Sequence, residues 1–501
     1  MSGSAASHDM ALGRSVGQHG LLGRARELVA ERPWALVVWG TMVAWTATLF
    51  AIAYDRYADL RYAHLDLGNM VQAVWNTAHG RPLEATIGTG EQVVRLGVHV
   101  DPILAALAPL WIVAPSPLTL EAVQIVAVAL GALPLFWLAR RHLGSERTAA
   151  LLALAYLAYP WLAWNAIDAL HPVTLAIPLL LFCIWFLDTD RLVPFAICAV
   201  LVATTGELMG ITLAALGVWY ALARRRRREG LVIALAGIGW TLFALQVVVP
   251  HYSGAESRFY GPFDDVGGSP SGLLHTAVTD PGAIASAVSE GRDFVYLFLL
   301  VAPLAAVFLL SPLLAAVAFP QLAVNLLADD PGTTDPHEHY VAAVLPFLFA
   351  AAAIGLARFS ESGRLRAVLL VITASVTASL AVGPWPGTLL GAPGWDPLPS
   401  SRSHLRALEH AVSLVPDGAP VTSTNRIGAH LAERRYLYSI PVVGRAEWVV
   451  LEQADVWIPQ AYSGTSEPKQ VQAFELEIRR SSDWRKVFDE DGVLVFRKAR
   501  E

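Results

Sequence analysis

The chain has 501 residues, 55% of them hydrophobic and only 16% charged, with a mean hydropathy of +0.48. These values exclude a disordered chain and point to a polytopic membrane protein. The net charge of −6 says little, since what matters is which loops carry the charges; nothing resembles a nucleic-acid binder, and Cys183 and Cys198 lie inside apolar runs, where they read as small buried residues rather than a disulfide.

Taken in order, residues 1–33 are polar, carry Arg14, Arg24, Arg26 and Arg32, and read as a cytoplasmic tail. The first span is Trp34 to Ala53. Ala51-Ile52-Ala53 mimics a signal-peptidase site, but the apolar run is too long for a leader and a retained anchor is expected. An outer loop, 54–102, follows. From Leu67 its apolar residues fall at Leu67, Met70, Val71, Val74 and Trp75, a helical stripe opposed by Asn69, Gln72 and Asn76. Such a helix is too short to span and is expected to lie on the bilayer surface. Ile103 to Val113 reads as a second interfacial or re-entrant helix. Further spans are expected at Leu118–Ala139, Thr148–Trp164, Pro172–Leu187, Leu192–Thr205, Leu208–Ala223, Leu231–Pro250, Phe294–Leu310, Leu313–Leu327, Tyr340–Ala357 and Ala367–Val382, about eleven in all. With the N-terminus inside, sixteen arginines fall in the tail and the inner connections and six in the outer connections between spans, as the positive-inside rule expects.

The fold class is therefore mainly α: a transmembrane bundle over 34–383, a linker at 384–399, and a small extracytoplasmic α/β domain at 400–501. In that domain Ser403–Leu414, Ile427–Glu433 and Pro468–Arg480 read as helices. Val421–Thr424, Tyr436–Ile440 and Trp448–Glu452 read as strands, and Trp484–Lys498 as a hairpin turning at Asp491-Gly492. The expected location is the plasma membrane, multi-pass, with the C-terminal domain outside.

On this topology the ionisable residues segregate. His64, Asp66, His99, Asp101, Asp168, His171, Glu207, His337, Glu338 and His339 all fall at outer span ends or in outer loops. Charge near hydrocarbon is costly and marks sites, so one outward-facing cavity is expected. Asp66 serves equally well as cap of the helix from Leu67 or as catalyst. His171 before Pro172 reads as a helix-start residue as readily as a ligand, and Glu207 beside Gly206 as a polar hinge. The sequence calls for no cofactor. A divalent metal is compatible with the spacing of His337 and His339, with Asp168 as third candidate ligand. The tryptophans Trp161, Trp164, Trp385 and Trp395 read as interfacial belts.

Several motifs together resemble a family of prokaryotic membrane proteins grouped as domain of unknown function 2079 (DUF2079). They are Leu65-Asp66-Leu67-Gly68, Ala73-Val74-Trp75-Asn76-Thr77, His79-Gly80-Arg81, His99-Val100-Asp101-Pro102, Pro115-Ser116-Pro117, Asp168-Ala169-Leu170-His171-Pro172 and His430-Leu431-Ala432-Glu433-Arg434. The layout is also similar to the GT-C class of membrane glycosyltransferases. That resemblance implies a polyprenyl-phosphate sugar donor met at the bilayer surface and a glycan, protein or lipid acceptor. It implies Asp66 as general base, with Asp168 or Glu207 as a second acidic residue. Arg61, His64, His99, Asp101, His171, His337, His339 and Tyr340 are the candidate substrate-binding residues. Arg56, Arg81, Arg95, Arg258 and Arg292 are further cations for the leaving phosphate. The C-terminal domain, with His430, Arg434 and Arg435, would take the acceptor. GT-C relatives carry a basic residue beside the acidic one near Glu207, whereas this chain has Thr205-Gly206-Glu207. Two other readings compete. A transporter or flippase needs mid-span charge or repeated halves, which are not seen. A non-catalytic scaffold would leave the acidic residues dispersed.

Overall fold

The computed structural model describes residues 33–254, 258–390, 401–460 and 463–499, so the expected tail, Trp395 and most of the linker lie outside the described residues. Among the described residues, four helices are long and apolar enough to cross a bilayer: Pro33–Ala58, Pro117–Leu143, Arg227–Ser253 and Glu361–Val382. A fifth crossing arises if Glu146–Leu157 and Pro160–Ile167, bent by 52° at their junction, count as one. The remaining apolar helices are shorter than the ~20 residues that a crossing needs. The eleven spans read from hydropathy are therefore not eleven unbroken helices. The clearest break is in Phe294–Leu310, where helix Gly291–Val301 gives way to a 3-10 turn at Pro303 and then to left-handed Ala305 and Ala306.

The helices sort by what they face. Val37, Trp39 and Val43 of the first helix, Leu231, Leu235 and Leu242 of Arg227–Ser253, and Leu370 and Leu380 of Glu361–Val382 are exposed. Contiguous apolar surface of this kind on long helices suits lipid. The centre of the bundle is formed by Pro117–Leu143, the bent pair and Leu345–Gly355, whose run Ala350 to Ala353 is fully buried. At the far end of helix Ala176–Asp188, Asp188 is buried and ion-paired with Arg141 at 3.0 Å and Arg224 at 3.3 Å, tying three helices together.

The opposite end carries the C-terminal sheet. Its strands are β3 (Val421–Ser423), β4 (Leu437–Ser439), β5 (Trp448–Glu452), β8 (Trp484–Glu490) and β9 (Val493–Lys498), in the order β4-β3-β5-β9-β8. β3 runs parallel to β4 and β5, while β9 is antiparallel to both β5 and β8. Alternation along the strands splits the faces. Val450, Val493 and Val495 pack with Leu408 and Ala411 of helix Arg402–Ser413, and Val449, Leu451 and Phe496 pack with Val471, Phe474 and Ile478 of helix Pro468–Arg480. The expected helix at Ile427–Glu433 is only a 3-10 turn, Gly428–Leu431. Two short hairpins were not expected: β1 (Glu84–Thr86) with β2 (Gln92–Val94), and β6 (Trp457–Gln460) with β7 (Ser463–Ser466).

The helix after Leu67 exists as Asn69–Ala78, but it does not lie on a lipid surface. Leu67, Met70, Val71 and Val74 share one core with Leu408, Val421 and Ile427 of the C-terminal unit. The polar face is buried as well. Gln72 Nε2 donates to the carbonyls of Arg434 (3.2 Å) and Arg435 (2.9 Å), its Oε1 accepts Thr86 N–H at 2.7 Å, and Asn76 Nδ2 donates to Glu84 O at 3.0 Å. The side chains expected to meet water instead satisfy the backbone of a second layer, as buried polar groups must. The segment carrying Asp66 is thus held between the bundle and the sheet.

Candidate active site

Asp66 sits in a single π-helical turn, His64–Gly68, that leads into helix Asn69–Ala78. The cap position of that helix is Gly68 with no side-chain cap, so Asp66 does not act as the N-cap. The Asp66 carboxylate hydrogen-bonds to none of the described residues. It is exposed to solvent by surface area, with enough protein around it that burial is the first influence on its pKa. Burial raises its pKa above the ordinary aspartate value, His171 opposes this, Asp168 adds to it and Arg56 opposes it.

Those neighbours come from distant parts of the chain. Asp168 and His171 lie in the turn between helix Pro160–Ile167 and the 3-10 turn Pro172–Leu175. The turn is gripped from helix Pro117–Leu130, where Glu121 Oε1 accepts Leu170 N–H and Gln124 Oε1 accepts His171 N–H, both at 2.8 Å. Glu121 Oε2 accepts the Tyr62 hydroxyl at 3.0 Å, and Arg56 Nη1 donates to Ile167 O at 2.6 Å. Glu121 and Gln124 were not singled out in the sequence because they fall inside an expected span. The signal was present, since a carboxylate three residues from an amide in an apolar helix rarely faces lipid.

The third contributor is the loop before helix Leu345–Gly355. His339 stacks on His171 with ring centroids 3.7 Å apart, and Tyr340 lies over His339 at 4.3 Å. His339 Nδ1 is 3.8 Å from Asp168 Oδ2 and 4.0 Å from Glu338 Oε2. Burial would raise Asp168, but the imidazoles of His339 and His171 and the Arg56 charge hold it below the usual value, so it is an anion. Burial, with His171 adding, pushes His339 down to about 4, which leaves it neutral. Burial, with Asp168 and Asp66 nearby, pushes Glu338 up to about 9. Neighbouring carboxyls here are thus shifted in opposite directions, the arrangement on which acid–base division of labour rests.

A stability prediction follows from Glu338. The folded chain keeps this proton to about pH 9, whereas the unfolded chain releases it near 4.5. Folded protein then binds more protons across that window, so stability should fall as pH rises through it. Glu338→Gln, neutral throughout, should lose less of its thermal midpoint than wild type between about pH 5 and about pH 9. Parallel pH profiles would remove Glu338 as the cause.

The remaining candidates divide. His99 faces Glu207 with Nδ1 3.3 Å from Oε1, and Val100 N–H donates to Glu207 Oε2 at 3.0 Å. Both oxygens of Glu207 are thereby engaged by the first loop, which they tie to the turn before helix Met209–Ala223. Arg95 and Asp101 form a buried ion pair at 2.8 Å, each the other's charge partner. The charge of His99 reaches His339, whose pKa it helps to lower. His64 leaves the substrate-binding set: it is fully buried, its Nδ1 is 2.6 Å from Ser439 Oγ, and its N–H donates to Asn425 O at 2.8 Å. Arg61 pairs with Asp59 at 2.9 Å. His337 leaves the metal-ligand set, because only Asp168, His171 and His339 among the described residues bring ligand atoms together here; its Nδ1 engages Asp335 at 2.6 Å and its ring edge abuts Trp161 and Trp164. Those tryptophans are buried and donate to backbone carbonyls of Leu299 and Val382, so they are core residues rather than an interfacial belt.

The family profile described as a predicted membrane protein, DUF2079, matches residues 56–495. The chain belongs to the DUF2079 family. Among solved structures, this DUF2079 protein is similar to ArnT from Cupriavidus metallidurans. The form bound to undecaprenyl phosphate aligns with a TM-score of 0.52 at 12% identity over 93% of this chain and 98% of that one. The apo form gives 0.54 at 12% identity over 92% and 98%. At that identity the likeness is one of fold, and it agrees with the GT-C-like layout expected from the sequence. No curated protein matches this DUF2079 sequence.

Proposed function

We propose that this DUF2079 protein is an integral membrane glycosyltransferase that takes a sugar from a polyprenyl-phosphate donor at the extracytoplasmic side and passes it to an acceptor there. The observation that carries this reading is the convergence of Asp66, Asp168, His171, Glu338 and His339 from three separated segments on one recess, in a fold similar to ArnT with bound undecaprenyl phosphate. Asp66, with no hydrogen bond to a described residue and its pKa raised by burial above the ordinary aspartate value, is the base that suits an acceptor hydroxyl. Asp66 takes the acceptor proton, the acceptor oxygen bonds to the anomeric carbon, and the bond from that carbon to the phosphate oxygen breaks, releasing polyprenyl phosphate. Arg56 supplies positive charge on the bundle side of the recess. An apolar groove of about 380 Å³, lined by Phe50, Leu110, Leu118, Ala122 and Val126, flanks the helix turn that bears Glu121 and suits an isoprenoid chain.

Binding tests this without knowledge of the sugar. The purified protein should retain undecaprenyl phosphate in native mass spectrometry against an excess of phosphatidylglycerol. Equal retention of both lipids would overturn the donor class.

A further inference from the structure

Asp168, His171 and His339 present ligand-type atoms that all lie within 4.8 Å of one another. Asp168 Oδ2 is 3.6 Å from His171 Nδ1 and 3.8 Å from His339 Nδ1, too far for direct hydrogen bonds. Asp168 Oδ2 and His339 Nδ1 are both buried with no hydrogen-bond partner. Two orphaned polar atoms facing one gap cost free energy unless something fills it. His171 Nδ1 lies 2.7 Å from the carbonyl of Ala169, which accepts its proton and leaves Nε2 with a free lone pair. A backbone carbonyl setting the tautomer in this way is the usual outer support of a metal-ligating histidine.

We propose that Asp168, His171 and His339 bind one divalent transition-metal ion of the zinc type. The donor set decides the class. Magnesium and calcium demand oxygen ligands, whereas two imidazoles and a carboxylate suit Zn²⁺ and its first-row neighbours. Three protein ligands leave a position open toward the cavity of Asp66, where a phosphate oxygen could enter. The imidazoles are now parallel, 11° between planes, so binding draws one ring out of the stack. The ion would sit in the recess to which glycosyl transfer is assigned above. Its uptake is measured without any sugar donor, so either reading can fail alone.

The test uses untagged full-length protein in detergent, stripped with chelator, then given Zn²⁺ or Mg²⁺ and desalted. Elemental analysis should find about one Zn²⁺ per chain and no retained Mg²⁺. His171→Ala and His339→Ala should each weaken Zn²⁺ binding by at least about tenfold. His337→Ala, outside the cluster, should bind as wild type does. Co²⁺ in the wild-type protein should give visible d–d absorption, a signature that does not depend on any variant folding. Absence of stoichiometric Zn²⁺ in wild type, with no Co²⁺ band, would overturn the site and assign the gap to an ordered water. Undiminished Zn²⁺ in the His171→Ala/His339→Ala double variant would place the ion elsewhere.

Discussion

Asp66→Asn should abolish sugar transfer while leaving insertion and folding unchanged. The side chain makes no hydrogen bond to a described residue and caps no helix, so the amide costs the fold little. What it removes is the proton acceptor, and loss of a positioned general base typically costs about 10²–10⁴-fold in rate. The readout is release of polyprenyl phosphate from a sugar-linked donor by reconstituted protein, alongside retention of undecaprenyl phosphate. Binding should persist as turnover disappears. Activity within about tenfold of wild type would remove Asp66 from the role of base.

Gly428→Ala should be nearly as damaging, although Gly428 touches no substrate. A Cβ there would lie 2.2 Å from His64 Cβ, 2.6 Å from His64 Cα and 2.9 Å from His64 N. Two of these are backbone atoms, so the turn at His64–Gly68 must shift. Forcing a methyl into a packed contact typically costs 1–3 kcal/mol, and a displacement of ~1 Å at a reacting group costs about 10²-fold in rate. Expected together are a lower thermal midpoint and a fall in transfer, with donor binding retained. Gly239→Ala, where a Cβ meets nothing within 4 Å, is the comparison that should change neither. Wild-type activity in Gly428→Ala would show that the C-terminal unit does not position the Asp66 turn.

Local pattern carried far into this structure. Strand Trp448–Glu452 and helix Pro468–Arg480 lie where alternation and helical spacing put them, and the hairpin turns at Asp491-Gly492, both residues at positive φ. Asp66, Asp168, His171 and His339 were legible as a group because charge at span ends is expensive. Their partners were not. His337 and His339 are two residues apart and chemically identical, but Asp335 and two tryptophans engage one while His171 stacks on the other. Spacing carries no information about which partner a ring meets. The same holds for His64, Gln72 and Asn76: a polar stripe on a short helix looks the same whether it meets water or the carbonyls of Arg434 and Arg435. Glu121 was hidden by averaging, since one carboxylate barely alters the hydropathy of an apolar helix.

The grip of Asn425 and Ser439 on His64 also sets an order of events during synthesis. Asn425 follows β3, β3 pairs with β5, and β5 is flanked by β9, which ends at Lys498. Synthesis from N- to C-terminus therefore makes the helices before Asn425 ahead of the strands that hold the His64 turn. The seat of this early turn is thus finished by strands that lie more than 350 residues further along the chain.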